Sequence, residues 1–361
     1  MKRKIDFKNG IFYGKSVYIL AILALLFILT VSILTAVTIG SVDLTVKDVY
    51  GVILYKTLKI GDSELYGSGS MSDIVWFIRL PRIILAAAVG MGLAVAGVVM
   101  QAIVKNPLAD PYVLGISSGA SLGATAAIFL GVGSAFGSNA IGICAFMGAF
   151  CISILVQMTA NIGGRANSIR LLLAGTALSA VCSAFSNFIV YIAGDREGIQ
   201  TVTFWLMGSV AGAKWENIAV ILPCVLLATL FFCSQQRILN MMLLGDEVSI
   251  TLGTDLHRYR HLYLVVSALI IGFVVYSAGI IGFVGLIIPH AVRMFFGTDH
   301  KKLLPLSALA GSIFLIWADV GCRVLIPKSE LPIGILVSLI GAPCFIYLLI
   351  RRSYGFGGEK T

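Results

Sequence analysis

Charge is what this sequence has least of. Asp, Glu, Lys and Arg make up 12% of its 361 residues, about half the share of a soluble domain, and no polar stretch reaches the length of a domain. That composition excludes a soluble fold, and it leaves no soluble motor module in this sequence. Alternating apolar and polar runs of strand length are missing as well, which excludes a membrane β-barrel. The seven cysteines (Cys144, Cys151, Cys182, Cys224, Cys233, Cys322, Cys344) lie in or at the ends of apolar runs without a C-x-x-C pair. They read as small buried thiols, not as a disulfide framework or a zinc site. His257, His261, His290 and His300 show no ligand spacing, so no metal centre is expected. Ionisable groups are nearly absent from the middle of the apolar runs, which counts against an ion-coupled carrier. No nucleophile and base stand together, which counts against a membrane-embedded enzyme. The segment Gly10–Ser16 imitates a phosphate loop but is one residue short. No strand precedes it and an apolar helix follows, so it does not read as a nucleotide site. No catalytic residue and no cofactor of its own are therefore expected.

What the chain has is apolar length. It is 58% hydrophobic with mean hydropathy +0.98, and runs of about 20 such residues cross a bilayer as helices. About ten transmembrane helices are predicted, near 17–40, 79–104, 112–131, 138–160, 170–193, 216–234, 262–281, 284–297, 304–325 and 332–350. The expected architecture is an all-α polytopic membrane protein, a single permease domain over 1–361. The run 284–297 is short and holds Pro289, His290 and Arg293, and Val202–Ala213 is shorter still, a candidate re-entrant helix. The first run is too long for the apolar core of a cleaved signal peptide and reads as a retained helix. Net charge +9 would suit nucleic acid if it were clustered on one soluble face. Instead most Lys and Arg fall at residues 1–16, Lys105, Arg165, Arg170, Arg237, Arg258, Arg260, Arg293, Lys301, Lys302 and the C-terminal tail. By the positive-inside bias, that side is the cytoplasm and both termini face it. The loop 41–78 is then extracytoplasmic, with a short surface helix near Val46–Leu58. Small residues repeat every three or four positions at Gly90, Ala94 and Val98, at Gly119, Gly123, Ala127 and Gly131, and at Gly142, Ala145, Ala149 and Ser153. Such stripes let helices pack closely in lipid.

The longest cytoplasmic interruption is the loop 235–261. It reads as two short helices broken at Gly245, with Asp246 and Glu247 at the positive end of the second helix dipole and Gly253 as a left-handed stop. Ile238, Leu239 and Met241–Leu244 are too apolar for a bare connector. They press either on their own bundle or on a soluble partner. Elsewhere, Asp319 and Arg323 stand four apart, in reach of one another, as a structural pair or with Arg323 free to dock a partner. Gln101, Gln157 and Asn187 are expected to be buried in helix–helix hydrogen bonds. Arg79 and Arg82 flank Pro81 at the outer boundary, for anionic lipid or for carboxylates of an external partner. Lys105–Pro111 is a stiff inner turn, a gate element or a plain connector.

In order along the chain stand Arg79-Leu-Pro-Arg82, Gly90 to Gln101, Asn106-Pro-Leu-Ala-Asp-Pro111, Leu114-Gly-Ile-Ser-Ser-Gly-Ala120 and Leu171-Leu-Leu-Ala-Gly175. They continue with Leu244-Gly-Asp-Glu247 to Leu252-Gly253, Gly282 to His290, Leu331-Pro-Ile-Gly334 and Gly341-Ala-Pro343. Over residues 75–350 this set resembles the FecCD-type, BtuC-like permeases of type II ABC importers for ferric siderophores, haem and cobalamin. The resemblance implies a BtuC-like permease fold in the inner membrane of a prokaryote. It implies a dimer with a second permease subunit, homo- or close heterodimer, and a pathway lined by helices near 170–193 and 332–350. It also implies two separate ATP-binding subunits, which carry the ATP and Mg, docked on Leu244, Gly245, Asp246, Glu247, Leu252 and Gly253. An extracytoplasmic solute-binding protein would dock at Arg79, Arg82 and Arg323. Asn106, Leu108, Ser168 and Ile169 match the cytoplasmic gate. The expected cargo is a metal chelate, ferric siderophore first, with haem or cobalamin as alternatives; an ion-coupled secondary transporter is the competing class.

Overall fold

The computed structural model describes residues 14–40, 42–162, 164, 167–326 and 329–351. The basic residues 1–13, most of the phosphate-loop imitation, Arg165 and the tail 352–361 lie outside the described residues. The described residues are helical throughout, with no strand among them. In order the main helices are α1 (Lys15–Thr38), α2 (Val46–Leu58), α3 (Leu80–Val104), α4 (Ile116–Leu130), α5 (Ala140–Asn161), α6 (Ser168–Ala193) and α7 (Arg196–Leu206). Then come α8 (Trp215–Ser234), α9 (Gln236–Leu244), α10 (Asp246–Thr251), α11 (Leu256–Ala278), α12 (Val284–Phe296), α13 (His300–Val324) and α14 (Ile333–Arg351). Among the described residues seven helices are long and apolar enough to cross a membrane, namely α1, α3, α5, α6, α8, α11 and α13. The other three expected spans fall on the shorter apolar helices α4, α12 and α14.

The helix at the centre is α3, which is apolar on every side and therefore buried on every side. Its interior is sealed by backbone approach. A Cβ on Gly90 would strike the Gly311 carbonyl of α13, and one on Gly97 would strike the Gly285 carbonyl of α12. On the neighbouring pair, Gly123 of α4 faces the Cys144 carbonyl of α5, and Gly148 faces that of Gly119. All three predicted stripes thus reach helix crossings, the third also through Gly142 against the Tyr276 carbonyl of α11, while Gly131 ends α4 in a left-handed cap (φ 67°) with nothing within contact distance. Ser312 Oγ adds a bond to the Ala87 carbonyl, 2.9 Å, between α13 and α3.

Two expectations are corrected. The re-entrant helix at Val202–Ala213 is in fact α7, which starts at Arg196 because Asp195 accepts from the amides of Glu197 and Gly198. It stops before Gly208 (φ 68°), whose carbonyl accepts from Ile333 N at 3.1 Å. The thiols are not uniformly buried either, since Cys151 is exposed on α5. The surface helix α2 has the range read for it, because Thr45 caps it by accepting from Asp48 N at 3.2 Å. Helix α12 begins opposite Gly97, about 10 Å from the inner end of α3, so it lines only part of the bundle.

Candidate functional site

On the inner face, α8 turns at Gln235 into α9, and Tyr263 of α11 donates to Gln235 Oε1 at 2.9 Å. Gly245 then breaks the chain with φ 102° and ψ 166°, a conformation open to glycine. Ser249 Oγ stitches the break by donating to the Gly245 carbonyl at 2.7 Å and to that of Met241 at 3.1 Å. Asp246 accepts from Arg260 at 2.6 Å, which ties α10 back to α11. Gly253 (φ 81°) is the left-handed stop. Two apolar faces result. Leu239 and Met242 are fully buried against the chain's own bundle, and Ile238, Met241 and Leu243 pack partly on it. Leu244 (59% exposed), Val248 (45%), Ile250 (55%) and Leu252 (61%) point away from it. The own-bundle reading thus holds for Leu239 and Met242, while Leu244, Val248, Ile250 and Leu252 leave an apolar surface uncovered. Sequence reasoning located the buried face and missed Val248 and Ile250 of α10, although their alternation with Ser249 and Thr251 was the available signal.

The gate residues meet beside this loop. Lys105 adopts φ 57° at the end of α3, and Asn106 Oδ1 accepts from Leu108 N at 2.9 Å, which holds the turn. Ser168 Oγ donates to the Ile103 carbonyl at 3.1 Å, which ties the start of α6 to the last turn of α3, next to the Asn106 turn. Ile169 is 66% exposed at the start of α6. Further along the turn, Asp110 accepts from Tyr112 N at 2.8 Å and from Phe283 N, the left-handed residue (φ 66°) that starts α12. Burial pushes its carboxyl up to about 6, against the pull of these two amides.

The outer arginines are placed differently from expectation. Arg79 is 4% exposed and donates to the carbonyls of Val37, Thr38 and Val42, at the C-terminal end of α1. Arg82 is 6% exposed and pairs with Asp319 at 2.8 Å and Glu330 at 2.8 Å. Arg323 pairs with Asp319 at 3.2 Å and donates to the Ile39 carbonyl at 2.6 Å. All three arginines are turned inward, taken up by the orphan carbonyls at the end of α1 and by the buried Asp319; for Arg323 this is the structural pair that the spacing of four allowed.

Helix α6 leaves one side open, with Leu173, Thr176, Ala177, Ala180, Asn187 and Tyr191 exposed. Asn187 was expected to be buried and is not. Gln101 is, and it accepts from Arg293 at 2.7 Å and donates to the Gly285 carbonyl at 3.2 Å. Gln157 accepts from His261 Nδ1 at 3.0 Å, and His261 Nε2 lies 3.3 Å from His257 Nε2. The histidine spacing of four, passed over in the sequence, brings these two rings together. Between α7, the 280–282 turn and α14 lies a cleft of about 510 Å³, walled by Met207, Ile280, Gly334, Ile335 and Leu339 with Ser338 as its polar group. It is open to the surrounding medium, and its wall carries no charge.

The FecCD transport family profile matches residues 27–351. The chain belongs to that family. Its similar relatives include the ABC transporter permease YvrB of Bacillus subtilis, 38% identical over 91% of this chain and 92% of that one. The hemin transport permease HmuU of Yersinia pestis is 40% identical over 78% of this chain and 86% of its own length. The cobalamin import permease BtuC of Halobacterium salinarum is 43% identical over 77% and 74%. Among solved structures, an inward-facing transporter of the metal-chelate ABC type superposes with TM-score 0.78 at 31% identity, over 92% of this chain and 99% of that one. Family, relatives and fold agree on a polytopic ABC-transporter permease.

Proposed function

We propose that this FecCD-family permease imports a metal chelate into a prokaryotic cytoplasm, driven by two separate ATP-hydrolysing subunits and fed by an external solute-binding protein. The observation that carries the reading is the outward apolar patch Leu244, Val248, Ile250 and Leu252 on a rigidly stitched elbow. An apolar patch rimmed by Asp246 and Glu247 on an inner loop is a protein-docking surface, and the docked subunits supply ATP and Mg. Nucleotide-driven closure of those subunits displaces the elbow, and the bundle passes the shift to the gate at Asn106, Leu108, Ser168 and Ile169 as a rigid-body movement. The open side of α6 and the uncharged cleft beside α14 support a dimer with its pathway between two permease subunits. The solute-binding protein docks on the outer rim that Arg79, Arg82 and Arg323 shape from beneath.

Ferric siderophore is the leading cargo, because such systems predominate in the family. Haem and cobalamin are the alternatives, supported by the names of two relatives. The test is co-purification with the ATPase subunits encoded beside it, followed by uptake in proteoliposomes with the neighbouring binding protein. ATP-dependent uptake of whichever chelate that binding protein holds is expected. Uphill uptake by the permease alone, driven by an ion gradient, would overturn the proposal in favour of a secondary carrier.

A further inference from the structure

Beside the apolar packing of Leu239 and Met242, side chains of the inner elbow at Gln235, Asn240 and Asp246 bond neighbouring helices, and they differ in what they reach. Gln235 bonds Tyr263 and Asp246 bonds Arg260, and both partners lie on α11, the helix the elbow runs into. Asn240, in the middle of α9, reaches α13 instead. Its Oδ1 accepts from His300 N at 2.9 Å and from His300 Nδ1 at 2.7 Å, and its Nδ2 donates to Asp299 Oδ1 at 2.9 Å. All polar atoms of the Asn240 side chain are thus spent on the first turn of α13, where His300 is 2% exposed and Asp299 caps the helix through Lys301 N.

Helix α13 runs between the two faces. It has 25 residues, about 37 Å, and Tyr18 of α1 donates to its Lys301 carbonyl at the inner end. Gly311 and Ser312 lock it to α3 at mid-length. Asp319 and Arg323 join it to Arg82 and to the end of α1 at the outer side. We propose that Asn240 is the joint through which a displacement of α9 enters α13 and reaches the outer charge cluster. It is a positioning residue, and the inference rests on the reading that ATP-hydrolysing subunits press on this elbow. The other two fastenings hold the elbow's shape, whereas the bonds of Asn240 carry its movement to a helix far away in the sequence.

The test uses the full complex with its ATPase subunits in lipid. Spin labels on unnatural amino acids at 158, at the inner end of α5, and at 301, at the start of α13, report their separation before and after trapping with ATP and vanadate. Both native side chains are exposed there, and the seven cysteines stay in place. The unaltered complex should show a shift of at least about 2 Å, the scale of helix shifts in switching bundles. Asn240→Ala should keep its ATPase subunits and lose the shift. Asn240→Asp should lose it too, since two carboxylates then face one another. Combining Asn240→Asp with Asp299→Asn reverses donor and acceptor between the two side chains at unchanged net charge, gives up the Lys301 N cap that shares Asp299 Oδ1, and should restore most of the shift. This pair also serves if Asn240→Ala fails to fold. An undiminished shift in Asn240→Ala, no shift in the unaltered complex, or no recovery in a folded double variant would each overturn the joint. Failure of the ATPase subunits to co-purify with the unaltered chain would instead overturn the importer reading beneath it.

Discussion

The inner elbow and the outer arginine cluster draw on similar residues and dispose of them in opposite ways. At the elbow, Asp246 on the rim is tied to the buried Arg260, while Leu244, Val248, Ile250 and Leu252 are left in front. At the outer cluster, Arg79, Arg82 and Arg323 are turned inward onto carbonyls and onto Asp319. A guanidinium with several fixed acceptors in a dry site contributes cohesion and has little left to offer a partner. An apolar patch held on a stitched turn has nothing to satisfy at home. The first region leaves an apolar surface uncovered, and the second holds the ends of α1, α3 and α13 together.

That contrast breaks most visibly at Arg82. Arg82→Ala leaves Asp319 buried with a single cation and strands Glu330, and removing one member of a buried pair costs about 3–5 kcal/mol. A large fall in thermal unfolding temperature in detergent, with poor membrane yield, is the expected outcome. If Arg82 instead met an external partner, the isolated permease would melt as before and only binding-protein affinity would drop.

The converse holds at the elbow. Leu252 is 61% exposed, so Leu252→Asp should change stability by no more than about 0.5 kcal/mol. A carboxylate buried in a docked interface is costly, so ATPase-subunit binding should fall at least about tenfold, about 1.4 kcal/mol. Co-purification yield and melting temperature, measured on the same preparation, check both halves. A variant that melts early but still binds its ATPase would reverse the assignment of the two regions.

How much of this the sequence announced depends on whether a residue's partner is near in the chain. The break at Gly245, the stop at Gly253 and the cap of α2 by Thr45 are local events, and glycine, acid and hydroxyl side chains mark them in place. The apolar lengths of the spans are local too. The inward turn of Arg79 and Arg323 was hidden because their acceptors are main-chain carbonyls at the end of α1, roughly 40 and 280 positions away, which no side chain advertises. Asn240 was hidden for the same reason, since its partners Asp299 and His300 lie about 60 residues on. The placement of Gly97 against Gly285 shows the intermediate case. Each glycine is visible as a small residue in an apolar run, and the crossing that needs both appears only in the fold.

The smallest expected effect separates a third kind of carboxylate from Asp246 and Asp319. Asp110 is held by the amides of Tyr112 and Phe283, and burial lifts its pKa from 3.8 to about 6. A carboxyl whose folded pKa lies above its unfolded one binds its proton more tightly in the folded state. Its contribution is complete below about pH 4, the ordinary range of a carboxylate, and is lost as the pH rises through about 6. Asp110→Asn keeps an oxygen for both amides and has no proton to lose. The variant should match or exceed the parent in melting temperature at pH 7.5, and that margin should shrink steadily as the pH falls towards 5. Parallel melting curves for parent and variant across that range would mean that the carboxyl ionises as freely in the fold as in water. In that case the pull of the Tyr112 and Phe283 amides would offset the burial in full.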